Sequence, residues 1–446
     1  MFTDLDDLKA KLQGKSVAVL GLGISNLPLV KMLLELGITD LTLRDKKPDP
    51  QLPFFARAHG IKKVTGENYL ENLTEDYIFR SPGIMPTIPE IKAAVKNGSV
   101  LSSEMEVFFD LCPAKIIGIT GSDGKTTTTT LIYEILTRAG YTCHLGGNIG
   151  RPLLEDLPNI KPDHLVIVEL SSFQLMTMKK SPDVALITNI TPNHLDKHKN
   201  YQEYIDAKTN IFLHGAAKTV FNLENDITKG FLREDSLAFS LKQPVEKGAY
   251  LKDDTIYFNG KEVMKRSDIL LPGIHNVDNY LAAICMVSDF CDLSIVREVA
   301  REFGGVEHRI ELVRELDGVK YYNDSIASSP SRTIAGLRSF AEDIVLIAGG
   351  MDKGVPFDEL AEEICKKVKH LVVVGNTKKM IQDAVLAVNP DFPISVADTF
   401  TNAIDLAREH ASSGDVVLLS PACTSFDFFQ NFMERGNTFK DYVRSL

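Results

Sequence analysis

The stretch Ile116-Ile-Gly-Ile-Thr-Gly-Ser-Asp-Gly-Lys-Thr-Thr-Thr128 decides the fold of the middle of this chain. Its apolar, β-branched beginning predicts a buried strand, and the run Leu131 to Leu136 predicts that a helix follows. Between the two lies a turn of small residues, followed by a lysine and hydroxyl side chains: Gly121, Ser122, Asp123, Gly124, Lys125, Thr126 and Thr127. In such a turn, backbone N–H groups and the positive end of the helix face a phosphate. We therefore predict a triphosphate site in which Lys125 reaches the outer phosphates and the Thr126 hydroxyl binds Mg²⁺.

The spacing of this turn is shorter than in the common phosphate-loop motif. Ile119 stands where the first glycine of that motif would be, which leaves Gly-x-x-Gly-Lys-Thr. The alternative interpretation is a glycine turn that only closes a strand-to-helix corner. A lysine and a threonine at the helix entrance favour nucleotide binding over that alternative.

Length and composition indicate a multidomain globular protein. The chain has 446 residues, of which 44% are hydrophobic and 24% charged. This length predicts roughly two to four domains. The formal net charge of −11 argues against a general nucleic-acid partner, because binding nucleic acid needs a basic face.

Cysteine usage and the absence of long apolar runs predict a cytoplasmic protein without a membrane partner. None of the six cysteines forms a Cys-x-x-Cys pair, so we interpret them as reduced thiols. The acidic start of the sequence lacks a signal-peptide core, and no apolar run is long enough to span a bilayer.

The first hundred residues predict a small α/β unit with an incomplete dinucleotide-binding fingerprint. The strand Ser16 to Leu20 is followed by the turn Gly21-Leu-Gly-Ile-Ser-Asn26, and Asp45 lies at the distance of a residue that binds a ribose hydroxyl. Asn26 replaces the third glycine. The turn therefore permits three interpretations, namely NAD, another nucleotide, or a turn that serves only packing.

Strands and helices alternate from Ile116 onward, which predicts mostly parallel sheets with helices on both faces. The polar stretch Lys242 to Lys265 predicts a β-hairpin appendage, and a third unit begins near Glu307. Ligands of such sheets bind beyond the carboxyl ends of the strands. Glu169 ends a strand there, which favours a magnesium role over helix capping.

Other polar residues are less specific when taken alone. His194 and His198 have the spacing of zinc ligands, but no third ligand is evident, so we expect one histidine near the magnesium site and one at the surface. Lys208 on an amphipathic helix is more often solvated, and Arg309 could bind a phosphate or form a junction salt bridge.

Nine segments taken together resemble the Mur ligase family, and most closely its D-glutamate-adding members. They run in family order: Gly118–Thr127, Gly147-Asn-Ile-Gly150, Glu169-Leu-Ser-Ser-Phe-Gln174, Asn193-His-Leu-Asp196, Ala207-Lys208, His275-Asn276, His308-Arg309, Asn323-Asp-Ser325 and Ser420-Pro-Ala-Cys-Thr-Ser-Phe-Asp427. The resemblance implies an α/β fold of three domains. These are a Rossmann-like domain for a UDP-linked substrate (residues 1–103), a central P-loop ATPase domain with a parallel sheet (104–305) and a Rossmann-like domain for the amino acid (306–446).

The resemblance also implies the reaction, the cofactors and the partners. ATP and Mg²⁺, with two ions expected, would activate the alanyl carboxylate of UDP-N-acetylmuramoyl-L-alanine as an acyl phosphate. The amine of D-glutamate would then attack that carbonyl. We expect a monomer acting on these two small molecules in the cytoplasmic part of peptidoglycan precursor synthesis.

The family's functional positions map onto this chain residue by residue. The resemblance implies four catalytic residues: Lys125, Glu169, His194 and Lys208. Metal ligands are expected at Thr126, Glu169, His194 and Lys208, with Lys208 carbamylated into a carboxylate-like ligand. ATP contacts are expected at Gly121, Ser122, Asp123, Gly124, Lys125, Thr126, Thr127, Asn276, Asn279, Arg309 and Asp324. The UDP-linked substrate would contact Asn148 and His194, with weaker matches at Ser25, Asp45 and Ser81, and D-glutamate would contact Ser328, Lys353, Ser425 and Phe432.

One departure from the family pattern affects the amino-acid pocket. Relatives read Asn-Asp-Ser-Lys-Ala-Thr where this chain reads Asn323-Asp-Ser-Ile-Ala-Ser328, so Ile326 removes a cation. The Asp-Asn-Pro-Arg motif of diamino-acid-adding relatives is absent, which favours a small acidic amino acid.

Two alternatives to D-glutamate ligation remain at this point. One is another ligase of the same type, either a further Mur step or folylpolyglutamate synthesis. The other is an NAD-binding or nucleotide-switch protein without ligase activity, which leaves Glu169 and Lys208 unexplained. The ligase interpretation also predicts hinge closure near Gly304 and Gly305.

Overall fold

Strands of the described chain form three sheets, of five, nine and six strands. The computed structural model describes residues 2–48, 50, 52–57 and 61–446. Helices cover these sheets, and most neighbouring strands run parallel. The predicted α/β class, with three successive sheets, is confirmed.

In the first sheet, the turn after the central strand β1 (Val17–Leu20) lies at a topological switch point. Its strands are β1 Val17–Leu20, β2 Leu41–Asp45, β3 Lys62–Thr65, β4 Tyr77–Arg80 and β5 Val100–Ser103. They are parallel, in the order β3-β2-β1-β4-β5. The accompanying helices are α1 Leu5–Leu12, α2 Leu27–Glu35, α3 Pro89–Lys96 and α4 Glu104–Leu111. Connections from β1 and β4 leave in opposite directions, so a crevice opens beyond their carboxyl ends.

The second sheet carries the phosphate-loop strand between two other parallel strands. Its strands are β6 Lys115–Thr120, β7 Cys143–Gly147, β8 Leu165–Glu169, β9 Val184–Ile187, β10 Lys218–Asn222, β11 Leu237–Ser240, β12 Gly248–Lys252, β13 Thr255–Phe258 and β14 Lys261–Lys265. Their order is β14-β13-β12-β11-β10-β9-β6-β8-β7. The helices are α5 Lys125–Arg138, α6 Leu153–Asp156, α7 Ser172–Leu175, α8 Tyr201–Leu213 and α9 Asp226–Lys229. Glu169 ends β8, beside β6, as predicted.

The hairpin predicted between Lys242 and Lys265 is present, but it extends the second sheet instead of standing apart as an appendage. β12 pairs in parallel with β11, and β13 and β14 continue from it as antiparallel neighbours. The sequence pattern showed the alternation of Thr255–Phe258 in β13 but not the pairing of Gly248 with Ala238, which joins these strands to the sheet. A Cβ on Gly248 would clash with the Ala238 carbonyl, so the backbones approach too closely for another residue.

The third sheet has one antiparallel edge strand. Its strands are β15 Glu311–Leu316, β16 Val319–Asn323, β17 Ile344–Ala348, β18 Val368–Val373, β19 Ile394–Val396 and β20 Val416–Leu419. Their order is β15-β16-β20-β17-β18-β19, parallel except for β15. The remaining helices are α10 Ile274–Val287, α11 Ser294–Glu302, α12 Pro330–Leu337, α13 Asp358–Lys367, α14 Lys378–Val388, α15 Phe400–His410 and α16 Phe432–Ser445. Short 3-10 helices occur at Phe54–Arg57, Leu157–Asn159 and Arg266–Asp268.

The chain divides into two compact units. Unit 1 comprises residues 1–266 and 278–299, and unit 2 comprises residues 267–277 and 300–446. Within unit 1 one apolar cluster includes Val19 of the first sheet, Phe108 of α4 and Val168 of the second sheet. Because this cluster joins the first two sheets, they belong to one compact unit, and the domain boundaries at 103/104 and 305/306 stay a prediction. No helix in the described ranges is long and apolar enough to cross a membrane.

Candidate active site

The phosphate loop joins β6 to α5 through two glycines with positive φ. Gly121 has φ +150° and Gly124 has φ +76°. A Cβ on Gly121 would clash with the Thr188 hydroxyl, and a Cβ on Gly124 would clash with the Asn279 side-chain oxygen. Both the backbone conformation and the close approach therefore require glycine at these positions.

The end of β9 fixes the middle of the loop. The Ser122 amide donates to the Asn189 carbonyl at 2.9 Å, and the Asp123 amide donates to the Asn189 side-chain oxygen at 3.0 Å. The Thr188 hydroxyl donates to the Asp123 carbonyl at 2.6 Å. These bonds hold the loop in its curved shape without using the amides at the start of α5.

The start of α5 is the end of the loop where we expect a phosphate. The helix begins at Lys125, and its first intrahelical bond runs from the Thr128 amide to the Gly124 carbonyl, at 2.9 Å. The amides of Thr126 and Thr127 precede that bond, and the first amides of a helix have no intrahelical acceptor, which is the arrangement that suits a phosphate. The Lys125 ammonium folds back to the Ser122 carbonyl at 2.8 Å, within the same loop.

Glu169 presents one occupied and one unsatisfied carboxylate oxygen at the end of β8. Its side chain is buried, and Oε1 accepts a hydrogen bond from the Asn148 amide group at 2.8 Å. The Asn148 backbone N–H donates to the Glu169 carbonyl at 2.8 Å, which fixes the pair. Oε2 has no hydrogen-bond partner among the described residues. A buried carboxylate oxygen without a partner suits a cation, since leaving it bare is costly.

Lys208 is buried against the phosphate loop, which contradicts the expectation from its helix alone that it is solvated. The residue is 1% exposed, and its ammonium donates to the Gly121 carbonyl at 2.7 Å and to the Thr120 hydroxyl at 3.3 Å. Burial lowers the Lys208 pKa well below the usual range, and the nearby Lys125 cation lowers it further. Because the pKa is lowered, a larger fraction of the Lys208 side chain is neutral amine than for a solvated lysine.

His194 and His198 flank the ring of Phe173. His198 is buried and its ring stacks on Phe173 at 5.1 Å, while its Nε2 lies 3.0 Å from the Ser172 hydroxyl. His194 is exposed, has φ +53°, and contacts Phe173 edge to face at 5.2 Å. The buried histidine of the pair is thus His198, and the metal role expected of His194 stays a prediction.

Tyr204 connects this aromatic group to the phosphate loop. Its hydroxyl lies 2.9 Å from the Ser122 hydroxyl, and its ring packs against His198 at 5.3 Å. The Lys208 ammonium lies 4.8 Å from the centre of the same ring. A tyrosine on a helix carries no motif, so the amino-acid sequence alone indicates no role for Tyr204.

Three residues expected at the UDP-linked substrate lie in or beside turns of the first sheet. Ser25 lies in the turn after β1, Asp45 ends β2 and Ser81 follows β4. Asp45 accepts backbone hydrogen bonds from Leu22 at 2.6 Å and from Lys47 at 2.8 Å. The Asp45 carboxylate therefore stabilises the glycine turn. The sequence predicted only a contact with a ribose for this residue.

Asn26, at the third fingerprint position, closes the same turn from inside. Its side-chain amide donates to the carbonyls of Leu20 and Gly21 at 3.0 and 2.9 Å. The residue is fully buried. A buried, hydrogen-bonded side chain thus occupies the position at which dinucleotide-binding turns have a glycine for close packing of helix and strand.

The two asparagines expected at ATP belong to different units. Asn279, in unit 1, accepts a hydrogen bond from the Thr128 hydroxyl at 3.2 Å and lies beside Gly124. Asn276, in unit 2, donates to the Pro272 carbonyl at 2.6 Å. The structure therefore brings Asn279 to the phosphate loop.

In unit 2, Arg309 lies in a turn that its neighbours hold in an unusual conformation. His308 and Ile310 both have positive φ, at +63° and +45°. The His308 amide donates to the Glu311 carboxylate at 2.9 Å, and the Ile310 amide donates to Asp324 at 3.3 Å. Left-handed backbone at a β-branched isoleucine is strained, so these anchors fix the direction in which Arg309 leaves the turn.

Asp324 is buried at the end of β16 and accepts a second hydrogen bond. The Ser420 hydroxyl donates to Oδ2 at 2.8 Å. Burial raises the pKa of Asp324 to about 7, although the Ser420 hydrogen bond and the Arg309 charge both lower it. The carboxyl group is therefore close to its titration point at neutral pH.

The four residues expected at the amino acid all lie in unit 2, where three contacts relate them to each other or to their surroundings. The exposed Lys353 ammonium donates to the Ser328 hydroxyl at 3.2 Å. Phe432 begins α16, and its ring meets His308 edge to face at 5.9 Å. Ser425 is buried, and its carbonyl accepts from the Phe429 amide at 2.8 Å. No described contact joins Ser425 to the Ser328–Lys353 pair, so a shared pocket stays a prediction.

Full-length relatives decide the family. Residues 119–287 match the Mur ligase middle domain, and residues 308–423 match the Mur ligase glutamate ligase domain. The chain is 52% identical to the UDP-N-acetylmuramoylalanine–D-glutamate ligase of Acetivibrio thermocellus over 100% of both chains. It is 49% identical to the ligase of the same name from Clostridium novyi, over 99% of each chain. The chain belongs to the Mur ligase family.

Solved structures show that this Mur ligase shares its fold with distant relatives. The UDP-N-acetylmuramate–alanine ligase of Thermotoga maritima matches with a TM-score of 0.60 at 19% identity, covering 97% of this chain and 99% of that one. The MurF ligase of the same organism, in complex with ADP, matches with a TM-score of 0.56 at 16% identity, covering 96% and 95%. At these identities the likeness concerns the fold alone.

The residues of this Mur ligase fit a bound Mg²⁺ chemically. Glu169 offers the unsatisfied buried Oε2, a hard oxygen of the kind that Mg²⁺ prefers. Thr126 lies in the first turn of α5, where a hydroxyl can join such a site. Lys208 offers only a nitrogen donor as it stands, so a metal role for it depends on carbamylation.

Proposed function

We propose that this Mur ligase joins D-glutamate to UDP-N-acetylmuramoyl-L-alanine, with conversion of ATP to ADP and phosphate. The observation that carries the proposal is the 52% identity, over the full length of both chains, to a relative named for that reaction. The phosphate loop with the first amides of α5 and the unsatisfied Glu169 oxygen support it, because activating a carboxylate with ATP needs both a phosphate cradle and a cation site.

The first step transfers a phosphoryl group to a carboxylate. A substrate carboxylate oxygen forms a bond to the γ-phosphorus as the bond to ADP breaks, which gives an acyl phosphate and ADP. Both reactants are anions, so their repulsion must be offset at the transferring group. Bound Mg²⁺ supplies charge neutralisation there. The Lys125 ammonium leaves the Ser122 carbonyl for the outer phosphates, and the amides of Thr126 and Thr127 hold the phosphate oxygens.

The second step forms the amide bond. The D-glutamate nitrogen attacks the acyl carbon, the bond to phosphate breaks, and the proton lost by the amine passes to the departing phosphate or to water. Little covalent work is left to the protein, so its contribution is to position the amine and exclude water. We assign this positioning to Ser328, Lys353, Ser425 and Phe432. Ile326 contributes no cation, so Lys353 would supply the positive charge that meets a glutamate carboxylate.

Further parts of the proposal follow from the same resemblance. We assign UDP-substrate binding to residues 1–103, ATP binding to 104–305 and amino-acid binding to 306–446. The substrates are small molecules, and the enzyme would act as a monomer in the cytoplasmic stage of peptidoglycan precursor synthesis. Contacts with ATP would come from Asn276, Asn279, Arg309 and Asp324 in addition to the phosphate loop.

The proposal is tested by measuring phosphate release from ATP with UDP-N-acetylmuramoyl-L-alanine and one amino acid at a time. D-Glutamate, L-glutamate, lysine and diaminopimelate form the panel. We expect release only with D-glutamate. Release with another member would keep the ligase chemistry but overturn the amino-acid assignment. No release with any member, together with tight NAD binding, would overturn the ligase proposal itself.

A further inference from the structure

Arg80 is a buried cation that no motif of the sequence singled out. It is the last residue of β4 and is fully buried. Its guanidinium donates to the Ile84 carbonyl at 3.1 Å, to the Phe173 carbonyl at 2.6 Å and to the Thr177 hydroxyl at 3.2 Å. One side chain of the first sheet thus binds the segment between β8 and β9 of the second sheet.

The first acceptor belongs to the turn assigned to the UDP-linked substrate. The Ile84 amide donates to the Ser81 carbonyl at 3.0 Å, which closes the turn Ser81–Ile84. A Cβ on Gly21, in the turn after β1, would press against Ser81, so the two turns are in contact. The Arg80 guanidinium therefore fixes the Ile84 end of a turn that lies at the switch point of the sheet.

The second acceptor belongs to α7, close to the phosphate loop. The Phe173 ring packs against both His194 and His198, at 5.2 and 5.1 Å. His198 in turn packs on Tyr204, whose hydroxyl meets Ser122 of the phosphate loop. A shift of α7 would therefore move the aromatic group that lies beside that loop.

The cost of burying a charge indicates that the guanidinium serves to form directed hydrogen bonds and not merely to fill space. Burial lowers the pKa of Arg80 to about 10, and the Glu106 charge opposes this. Glu106 is held by the Thr177 hydroxyl at 3.0 Å, and burial raises its pKa to about 7. An apolar side chain of similar volume would fill the same space without the cost of burying a charge. Such a side chain has no N–H groups, so it could not donate hydrogen bonds to the Ile84 and Phe173 carbonyls.

We propose that Arg80 is a positioning residue that holds the turn Ser81–Ile84 and helix α7 in one arrangement, so that binding of the UDP-linked substrate and alignment of the rings around Phe173 depend on the same guanidinium. This inference rests on the proposed function. It adds to that function a link between the substrate turn and the edge of the phosphate site.

The test compares Arg80→Met and Arg80→Lys with the wild-type chain. Methionine fills the space without a donor, and lysine keeps the charge but lacks the planar fork that serves several acceptors at once. Arg338→Lys is the matched control, because Arg338 makes a two-pronged contact with Glu363 at the surface of unit 2. Calorimetry gives the Kd of UDP-N-acetylmuramoyl-L-alanine, steady-state kinetics gives KM and kcat, and thermal unfolding gives Tm.

We expect Arg80→Met to raise both Kd and KM for the UDP-linked substrate roughly tenfold or more, the loss typical of charge-assisted hydrogen bonds. kcat should fall as well, whereas the KM of D-glutamate should stay within about twofold of the wild type, because its assigned residues lie in unit 2. The Kd, KM and kcat of Arg80→Lys should lie between those of Arg80→Met and those of the wild type. A purely structural role for Arg80 predicts a change in Tm with unchanged kinetics, or equal changes for every substrate, and either result would overturn the inference.

Failure of the proposed function is distinguishable from failure of this inference. If the wild-type chain releases no phosphate with D-glutamate, the proposed function fails, while the calorimetric comparison still decides the role of Arg80. Unchanged affinity in both Arg80 variants, or no binding of the UDP-linked substrate to the wild type, would overturn the positioning role.

Discussion

At the scale of single residues, the function of Lys208 depends on whether its side chain is an amine or a carbamate. As an amine it holds the Gly121 carbonyl and so supports the phosphate loop. As a carbamate it would become an anionic oxygen ligand close to Glu169. Burial favours the neutral amine, which is the form that reacts with CO₂.

We therefore predict that Lys208→Ala abolishes D-glutamate-dependent phosphate release and that added acetate or formate restores part of it. A small carboxylate can occupy the volume left by the side chain and supply the missing oxygens. The measurement is kcat as a function of carboxylate concentration, with the exposed Lys252→Ala as a control that should keep wild-type activity. Loss of activity without any rescue would leave Lys208 with only the loop-supporting role.

What the sequence could reveal about single residues depended on how local their signals are. The glycines, Lys125 and Glu169 occupy strand ends and turns, and neighbouring residues alone determine those positions. The burial of Lys208 depends on the face of α8 that meets β6, which is a long-range packing choice. Tyr204 and Arg80 carry no motif, so their contacts with Ser122 and Phe173 could only be found in the structure.

At the scale of elements, a hydrogen bond in unit 2 joins the turn between α11 and β15 to the end of β16. Asp324 accepts the Ile310 amide and thereby closes the strained turn that carries Arg309. Burial raises the Asp324 pKa from 3.8 to about 7. Between these two values the folded chain holds a proton that the unfolded chain has released. The contribution of this carboxyl group to stability therefore falls as the pH rises from about 4 to about 7, and levels off above that.

We predict that Asp324→Asn makes the slope of unfolding free energy against pH more positive between pH 5 and 7, by up to about 1.4 kcal/mol per pH unit. An amide does not titrate, so this contribution disappears even if the variant is less stable at every pH. Urea midpoints from far-UV circular dichroism provide the measurement. Asp391→Asn, at an exposed site in the same unit, should keep the wild-type slope. Equal slopes for Asp324→Asn and the wild type would contradict the prediction.

Element boundaries were predictable where apolar runs end in polar residues, as at Glu169, Asn323 and Ser420. They were less predictable where a strand joins a sheet only by close backbone approach. The hairpin expected between Lys242 and Lys265 became three added strands, since the Gly248 backbone can lie against Ala238. Sequence periodicity shows that a segment can form a strand, but not which sheet edge it joins.

At the scale of the whole molecule, residues assigned to ATP are divided between the two units. Lys125 and Asn279 belong to unit 1, whereas Arg309 and Asp324 belong to unit 2. The division into two units follows from the apolar core that the first two sheets share, and core sharing cannot be deduced from three successive α/β patterns. The chemistry requires the acyl phosphate and the amine to meet, although their assigned residues are on different units.

We therefore predict that the ligands draw the two units together about the segment that contains Gly304 and Gly305, directly after α11. Gly305 has φ +117°, a conformation that few other residues adopt, and this suits a connection that must change its dihedral angles. Small-angle X-ray scattering should give a smaller radius of gyration with UDP-N-acetylmuramoyl-L-alanine, a non-hydrolysable ATP analogue and D-glutamate together than without ligands. Each ligand alone serves as a control and should give a smaller decrease. Identical curves with and without the full set would mean that the reactive groups meet without domain closure, which would remove the hinge from this account of the mechanism.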